Sequence, residues 1–353
     1  MKIGLIGTGR WGRNHARVLK SLEIQGIIDE VILCDINKDL VRRVAREYGI
    51  EKYYYNVSDM ISHEKLDGVI ISVPTLYHYK VAKEVLPKAD LLIEKPITAK
   101  LEEASELIKE SEKLGRIIMV GHIERFNQGV ISLKEELDKL VKEGDKIIYI
   151  STQRVGPGPA KGRSLNLGVA HDLLVHDVDI TYYLLKSLTK SVIAIAKYTP
   201  EFEYEVEVNA VYRFDNDVET VANLRASYRT APTFKKRILM IQTLKCSISL
   251  DYILQSFTIE RGVMEHRLSS DFMELITAYS AEDSITKRLL FRRENEPLLL
   301  EDKHFVEVVS GKKKPLVTAI DGYIALKNVI MALKSAQLRR ELEIKWDEAF
   351  IPN

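Results

Sequence analysis

The run His171-Asp172-Leu-Leu-Val-His176-Asp177-Val-Asp179 gathers two imidazoles and three carboxylates into one short segment. On a helix, Asp172 and His176 lie one turn apart on a common face, and Asp179 follows a turn further along. A carboxylate at that spacing can hold one imidazole nitrogen while the other nitrogen faces a substrate, which is what a proton acceptor requires. Two other readings of the run are open. The acids can be solvated beside a helix-face histidine, or His and Asp at i, i+4 and i+7 can ligate a metal. No further ligand cluster accompanies them, so no metal is expected. A second stretch, Leu91-Leu-Ile-Glu94-Lys95-Pro96-Ile-Thr98, ends an apolar strand on Glu-Lys-Pro. A lysine at the C-terminal end of a parallel strand can reach a substrate oxygen, with Pro96 shaping the backbone that aims it. A plain surface lysine at a strand end is the competing reading.

The elements that must position these groups begin at the first residues. Lys2–Ile6 reads as an apolar strand, Gly7-Thr8-Gly9-Arg10-Trp11-Gly12 follows at once, and Trp11–Leu22 reads as a helix. Such a turn leaves the helix's first N–H groups unpaired and adds the positive end of its dipole, so a pyrophosphate sits naturally there. Gly7 would allow the tight turn, Gly9 the close approach of phosphate, and Gly12 the packing of helix on strand. The next strand, Glu30–Cys34, ends at Asp35, whose carboxylate can accept both hydroxyls of an adenosine ribose and would repel a 2′-phosphate. NAD is therefore expected, in preference to NADP. Asp35 also suits the N-cap of a helix ending at Tyr48.

Strands and amphipathic helices alternate up to Gly121, the pattern of a doubly wound parallel sheet covered on both faces. Beyond Val130 the rhythm changes. Segments such as Val206-Glu-Val-Asn-Ala-Val-Tyr-Arg-Phe214 alternate apolar with polar, which predicts a large, mainly antiparallel open sheet. The fold expected is α/β: a Rossmann-type domain over 1–121, an α+β substrate-binding and oligomerisation domain over 122–335, and a tail, 336–353, packed back on the body. An open sheet must cover its bare face, so a homodimer or homotetramer through it is expected. After the strand Lys146–Thr152, Arg154-Val-Gly-Pro-Gly-Pro-Ala-Lys161-Gly-Arg163 is too rich in Gly and Pro for regular structure. Its basic residues are compatible with a substrate diphosphate and equally with solvated loop charges.

Composition sets the outer bounds. The 353 residues exceed what one ordinary core holds, and 46% hydrophobic content is ample for burial. With 52 Lys plus Arg against 51 Asp plus Glu, nothing favours nucleic acid or a membrane surface as partner. No signal peptide precedes the first strand and no apolar run approaches ~18 residues, so a cytoplasmic protein is expected. Cys34 and Cys246 lie in apolar runs and read as buried free thiols.

Taken together, the glycine turn, Glu94-Lys95-Pro96 and the Asp-x-x-x-His helix in a sheet-rich second half resemble the Gfo/Idh/MocA oxidoreductases over essentially the whole chain. The resemblance implies that Lys95, Asp172 and His176 match that family's catalytic trio, all three also meeting the substrate. It implies that Ser72, Pro74, Thr75 and His78 match its second cofactor-side turn, that Glu94, Lys95 and Pro96 border the cofactor, and that Arg125 matches its linker between domains. Within the family, Gln153–Pro157, Ala170–Asp179 and Glu301–Pro315 look most like the UDP-N-acetylglucosamine 3-dehydrogenases. The implied reaction is oxidation of a secondary alcohol: His176 takes the hydroxyl proton, Lys95 donates to the oxygen, and Asp172 orients His176. A free polyol or sugar dehydrogenase, an imine or biliverdin-type reductase, and a nucleotide-sensing module without turnover are the rival expectations.

Overall fold

The computed structural model describes residues 1–158, 167–261, 283–288 and 295–351. Lys161 and Arg163 lie outside the described residues. Six parallel strands form the first sheet: β1 (Lys2–Ile6), β2 (Glu30–Cys34), β3 (Lys52–Tyr54), β4 (Gly68–Ile71), β5 (Asp90–Glu94) and β6 (Ile118–Gly121), in the order β3-β2-β1-β4-β5-β6. Between them run the helices α1 (Arg10–Ile24), α2 (Lys38–Tyr48), α3 (Val57–His63), α4 (His78–Val85) and α5 (Leu101–Leu114). The strand order reverses between β1 and β4, which opens a crevice beyond the C-terminal ends of the strands. Local chemistry sets the helix limits. The Asn37 side chain accepts from Leu40 N and starts α2, and Gly49 and Gly115 end α2 and α5 in left-handed backbone at φ 65° and 62°. The sequence reading misses β3 and α3, since three half-buried residues carry no usable periodicity.

After α6 (Gln128–Lys142) come β7 (Ile147–Val155), a π-helical turn over Ala170–Leu174, α7 (Val175–Leu185), β8 (Thr189–Lys197), β9 (Glu207–Phe214), β10 (Val221–Ser227), β11 (Lys236–Thr243), β12 (Cys246–Asp251), β13 (Ser256–Arg261) and β14 (Asp283–Arg288). Two helices, α8 (Pro297–Val309) and α9 (Ala319–Leu338), and the short strand β15 (Leu342–Glu343) follow. The second sheet has the order β14-β13-β12-β11-β7-β10-β9-β8-β15 and is antiparallel except where β10 pairs β7. Helices α6, α7 and α9 cover one face; the other presents Ile193, Ile195 and Met240, which are 48%, 75% and 51% exposed. Cys34 and Cys246 are free and buried. No helix among the described residues is long and apolar enough to cross a membrane.

The buried apolar side chains fall into two cores, one per sheet. The first recruits from the far end of the chain: Leu298, Phe305 and Val308 of α8 pack into it, as does Phe350. Gly68 makes this possible, because a Cβ there would stand 2.9 Å from the Phe305 ring. α8 thus belongs with the first core, whereas sequence order alone groups it with the second sheet.

Candidate active site

The glycine turn is built for close approach. Gly7 sits at φ 92°, and a Cβ on it would be 2.6 Å from Ser72 O; a Cβ on Gly12 would be 1.9 Å from Gly7 O. Nothing lies within 4 Å of where a Gly9 Cβ would stand. α1 begins after Gly9 with no side-chain cap and no acid in its first turn, so its free N–H groups and dipole face open space. That cradle fits the pyrophosphate of a dinucleotide. Asp35 stands at the end of β2 as the ribose reading requires, and it also pins the turn. Its Oδ2 accepts from Thr8 N at 2.7 Å and Thr8 Oγ1 at 2.9 Å, and its Oδ1 from Asn37 N at 2.8 Å. The N-cap of α2 is Asn37, not Asp35.

The second turn, Ser72 to Thr75, faces the same cleft from the end of β4. His78 is 1% exposed, with Nε2 2.9 Å from Val73 O and Nδ1 2.9 Å from Pro96 O. Both ring nitrogens face backbone carbonyls at hydrogen-bond distance, and the one that carries the proton donates, so His78 ties this turn to Glu94-Lys95-Pro96. Glu94 Oε1 accepts from Trp11 Nε1 and lies 3.0 Å from His15 Nε2; His15 Nδ1 in turn lies 2.8 Å from Asp302 Oδ1 on α8. The two carboxylates outweigh burial and hold the His15 pKa well above its ordinary value. Arg125, 3% exposed, is likewise a structural knot: it donates to Asp179 at 2.6 Å, Asp321 at 3.1 Å and Leu316 O at 3.0 Å. It offers a cofactor no free face.

Lys95, at the end of β5, points across to the π turn. Its Nζ donates to Asp172 Oδ1 at 2.8 Å and to Asp172 O at 2.7 Å. Tyr228 OH donates to the other carboxylate oxygen, Oδ2, at 2.7 Å. Burial pushes the Asp172 pKa up, but the Lys95 charge and these two donors outweigh it and leave the group below its usual range. Asp172 is therefore committed to Lys95 and Tyr228, and no hydrogen bond joins it to His176. The π turn, which widens the helix at Ala170–Leu174, takes Asp172 off the α-helical spacing that the i, i+4 argument assumes.

His176 borders the cleft with its Nδ1 buried and without a hydrogen-bond partner among the described residues. Burial, then the positive charges of Lys95 and Arg154, hold its pKa well below the ordinary value, so the ring is neutral near pH 7. His171 is a second such imidazole. Its Nδ1 is also unpartnered, and burial beside Lys95 takes its pKa down to about 4. Asp177 and Asp179 are spent on Arg154 and Arg125, so the i, i+4, i+7 set does not converge on one point.

Arg154 corrects the loop reading. β7 runs on to Val155, and the alternation of the strand turns Thr152 and Arg154 inward, each 3% exposed. Arg154 donates to Asp177 Oδ1 at 2.9 Å and Glu124 Oε1 at 2.7 Å, and its guanidinium lies over the Tyr252 ring. It is locked in the wall and is not presented to a diphosphate. Sequence reasoning missed Tyr228, His171, Lys235 and Arg237, which reach the same cleft. The His171 signal was present, one residue before Asp172. The others depend on pairing between distant strands and leave no local spacing to find. The cleft they border, about 820 Å³, runs from Arg10 and Trp11 past Lys95 to Tyr228 and Arg237.

This geometry can be set beside known proteins. Residues 1–122 match the family described as Oxidoreductase family, NAD-binding Rossmann fold, GFO_IDH_MocA. The chain is 24% identical over 352 residues to the myo-inositol 2-dehydrogenase of Thermotoga maritima, covering 98% of this chain and 99% of that one. It is 32% identical over 187 residues to the UDP-N-acetylglucosamine 3-dehydrogenase of Acidithiobacillus ferrooxidans, covering 52% and 54% of the two chains. In fold it is similar to levoglucosan dehydrogenase in complex with NADH and L-sorbose, with a TM-score of 0.82 at 16% identity over 98% of this chain and 99% of that one. The matched model is one of NAD-binding oxidoreductases, and the two curated relatives are dehydrogenases of a polyol and of a nucleotide sugar.

Proposed function

We propose that this chain oxidises a secondary hydroxyl of a sugar, with the 3-hydroxyl of UDP-N-acetylglucosamine as the leading candidate. The observation that carries the reading is the 2.8 Å contact between Lys95 at the end of β5 and Asp172 on the π turn, beside the imidazole of His176, whose Nδ1 has no partner among the described residues. Bound NAD supplies the hydride acceptor. His176, neutral near pH 7, takes the hydroxyl proton; a positioned base contributes about 10²–10⁴-fold. Lys95 donates a hydrogen bond to the oxygen as it gains negative character, a contribution of about 3–4 kcal/mol for a preorganised donor. Asp172 and Tyr228 hold that amine in place, which replaces the sequence-derived role of Asp172 as a partner of His176. Groups converging from two lobes favour turnover over a sensing module, which needs no such convergence.

A free polyol dehydrogenase is the second reading, favoured by the full-length similarity to the myo-inositol enzyme. Absorbance of NADH on a panel of UDP-N-acetylglucosamine, glucose and myo-inositol separates the two. Lys95→Ala is expected to lose turnover while NAD still binds; unchanged turnover refutes the assignment. We also assign the protein to the cytoplasm, and propose that the open face carrying Ile193, Ile195 and Met240 is covered by a second copy of the chain. Sedimentation of a monomer at micromolar concentration refutes that.

A further inference from the structure

We infer that Arg237 and Lys235 form an anion-binding end of the substrate cleft, so that the sugar oxidised here carries a phosphate or a carboxylate. The inference rests on the dehydrogenase reading and names the substrate class within it. In the register of β11 against β7, Arg237 stands directly opposite Arg154, on the same face of the sheet. Two like charges so placed repel, and like-charged cross-strand pairs are destabilising. Arg154 is compensated by Asp177 and Glu124. Arg237 is not. Its Nη1 donates to two backbone oxygens, Val155 O at 3.0 Å and Lys236 O at 3.1 Å, and no carboxylate among the described residues pairs with it.

Among the described residues no carboxylate of the cleft pairs directly with Arg237; Asp177, Glu124 and Asp172 act on it only through space. Glu94 is held by His15 and Trp11, Glu124 by Arg154, and Asp172 by Lys95 and Tyr228. Lys235 has no ion-pair partner among the described residues either. Both cations lie along the loop that follows β7: a Cβ on Gly156 would be in ordinary contact with Lys235 Cγ at 3.5 Å and Arg237 Nη1 at 3.8 Å. Burial, followed by the neighbouring Arg154, lowers the Arg237 pKa against the opposing pull of Asp177, Glu124 and Asp172. Arg10, which also has no ion-pair partner among the described residues, lies at the opposite end of the cleft, where the glycine turn fits the cofactor's own pyrophosphate. A neutral polyol would leave Arg237 and Lys235 unmatched, whereas a sugar diphosphate or a sugar acid would pair with them.

The test reads binding. Calorimetry on the NADH-saturated protein, whose dinucleotide site is already filled, measures UDP, glucuronate and myo-inositol against wild type, Arg237→Gln and Lys235→Gln. Lys190→Gln, on the distant strand β8, controls for net charge. At least one anion is expected to bind about 10- to 100-fold more weakly to both cleft variants, with a matching loss as salt rises. Loss for UDP assigns a diphosphate, and loss for glucuronate alone assigns a sugar acid. Anions that bind no better than myo-inositol, or that bind both variants as they bind wild type, overturn the inference. Should Arg237→Gln fail to fold, Lys235→Gln, whose side chain is exposed, carries the same comparison. Absence of turnover toward every sugar would sink the proposed reaction and leave this result standing.

Discussion

Replacing Asp172 by Asn distinguishes a carboxylate that acts through Lys95 from one that acts through His176. The substitution keeps the shape of the side chain and an oxygen facing Lys95 Nζ, now at 2.8 Å from Oδ1, and removes the charge. A hydrogen bond to a charged group is worth about 1.5–3 kcal/mol. Half of the Asp172 side chain is exposed (50%), and solvent screening takes the effect to the lower end. About 1.5 kcal/mol of misplaced amine corresponds to a roughly 10-fold loss of kcat/KM. Steady-state NADH formation at pH 7 and pH 8 is the assay. Because the partner is an amine, the loss is expected to be the same at both values. His176→Ala should behave differently, its larger loss shrinking as pH rises and solvent takes over as base. Tyr228→Phe removes the second donor to the same carboxylate, so combined with Asp172→Asn it should cost no more than Asp172→Asn alone. A pH-dependent rescue of Asp172→Asn in step with His176→Ala, or additive losses with Tyr228→Phe, would refute the reasoning.

The other expectations concern binding and stability. Gly12→Ala places a methyl 1.9 Å from Gly7 O, so the turn must shift; NADH binding followed by fluorescence should weaken by at least about 100-fold, and unaltered affinity excludes the cradle. Phe305→Ala empties the niche over Gly68 and should cost about 3–5 kcal/mol in chemical denaturation, with NAD binding impaired alongside. His171 has a folded pKa depressed to about 4, so its contribution is complete above the ordinary histidine value and is lost as pH falls from about 6.5 towards 4, up to about 3 kcal/mol. Urea unfolding at pH 7 and pH 5 should therefore show a steeper loss for wild type than for His171→Gln; equal losses count against the burial that sets the shift.

What could be read from the sequence follows a physical line. Glycine turns, apolar strands and amphipathic helices are local, and the first sheet up to β6 was largely legible from them. The short β3 and the placement of α8 were not, because each is decided by contacts with residues far along the chain. The candidate site divides the same way. Lys95 and Asp172 could be singled out from strand ends and helix spacing, yet the partner of Asp172 could not, since the π turn departs from the period on which that argument depends. Arg154 looked like a loop cation because Gly-Pro follows it, and the pairing of β7 with β11 carries the strand on to Val155 and turns that side chain inward. Tyr228 and Arg237 owe their position to register alone.

The bond from His15 to Asp302, together with the seat of Phe305 on Gly68, has a consequence for how this protein can be cut and recombined. A fragment ending near residue 122 would carry every strand of the first sheet and still lack the helix that closes it, leaving a bare apolar socket and the Nδ1 of a buried imidazole unanswered. During synthesis that half must wait, unfinished, until some two hundred further residues have left the ribosome. Any exchange of cofactor modules between relatives must accordingly carry two separate stretches of chain, the opening one and the α8 stretch near the end.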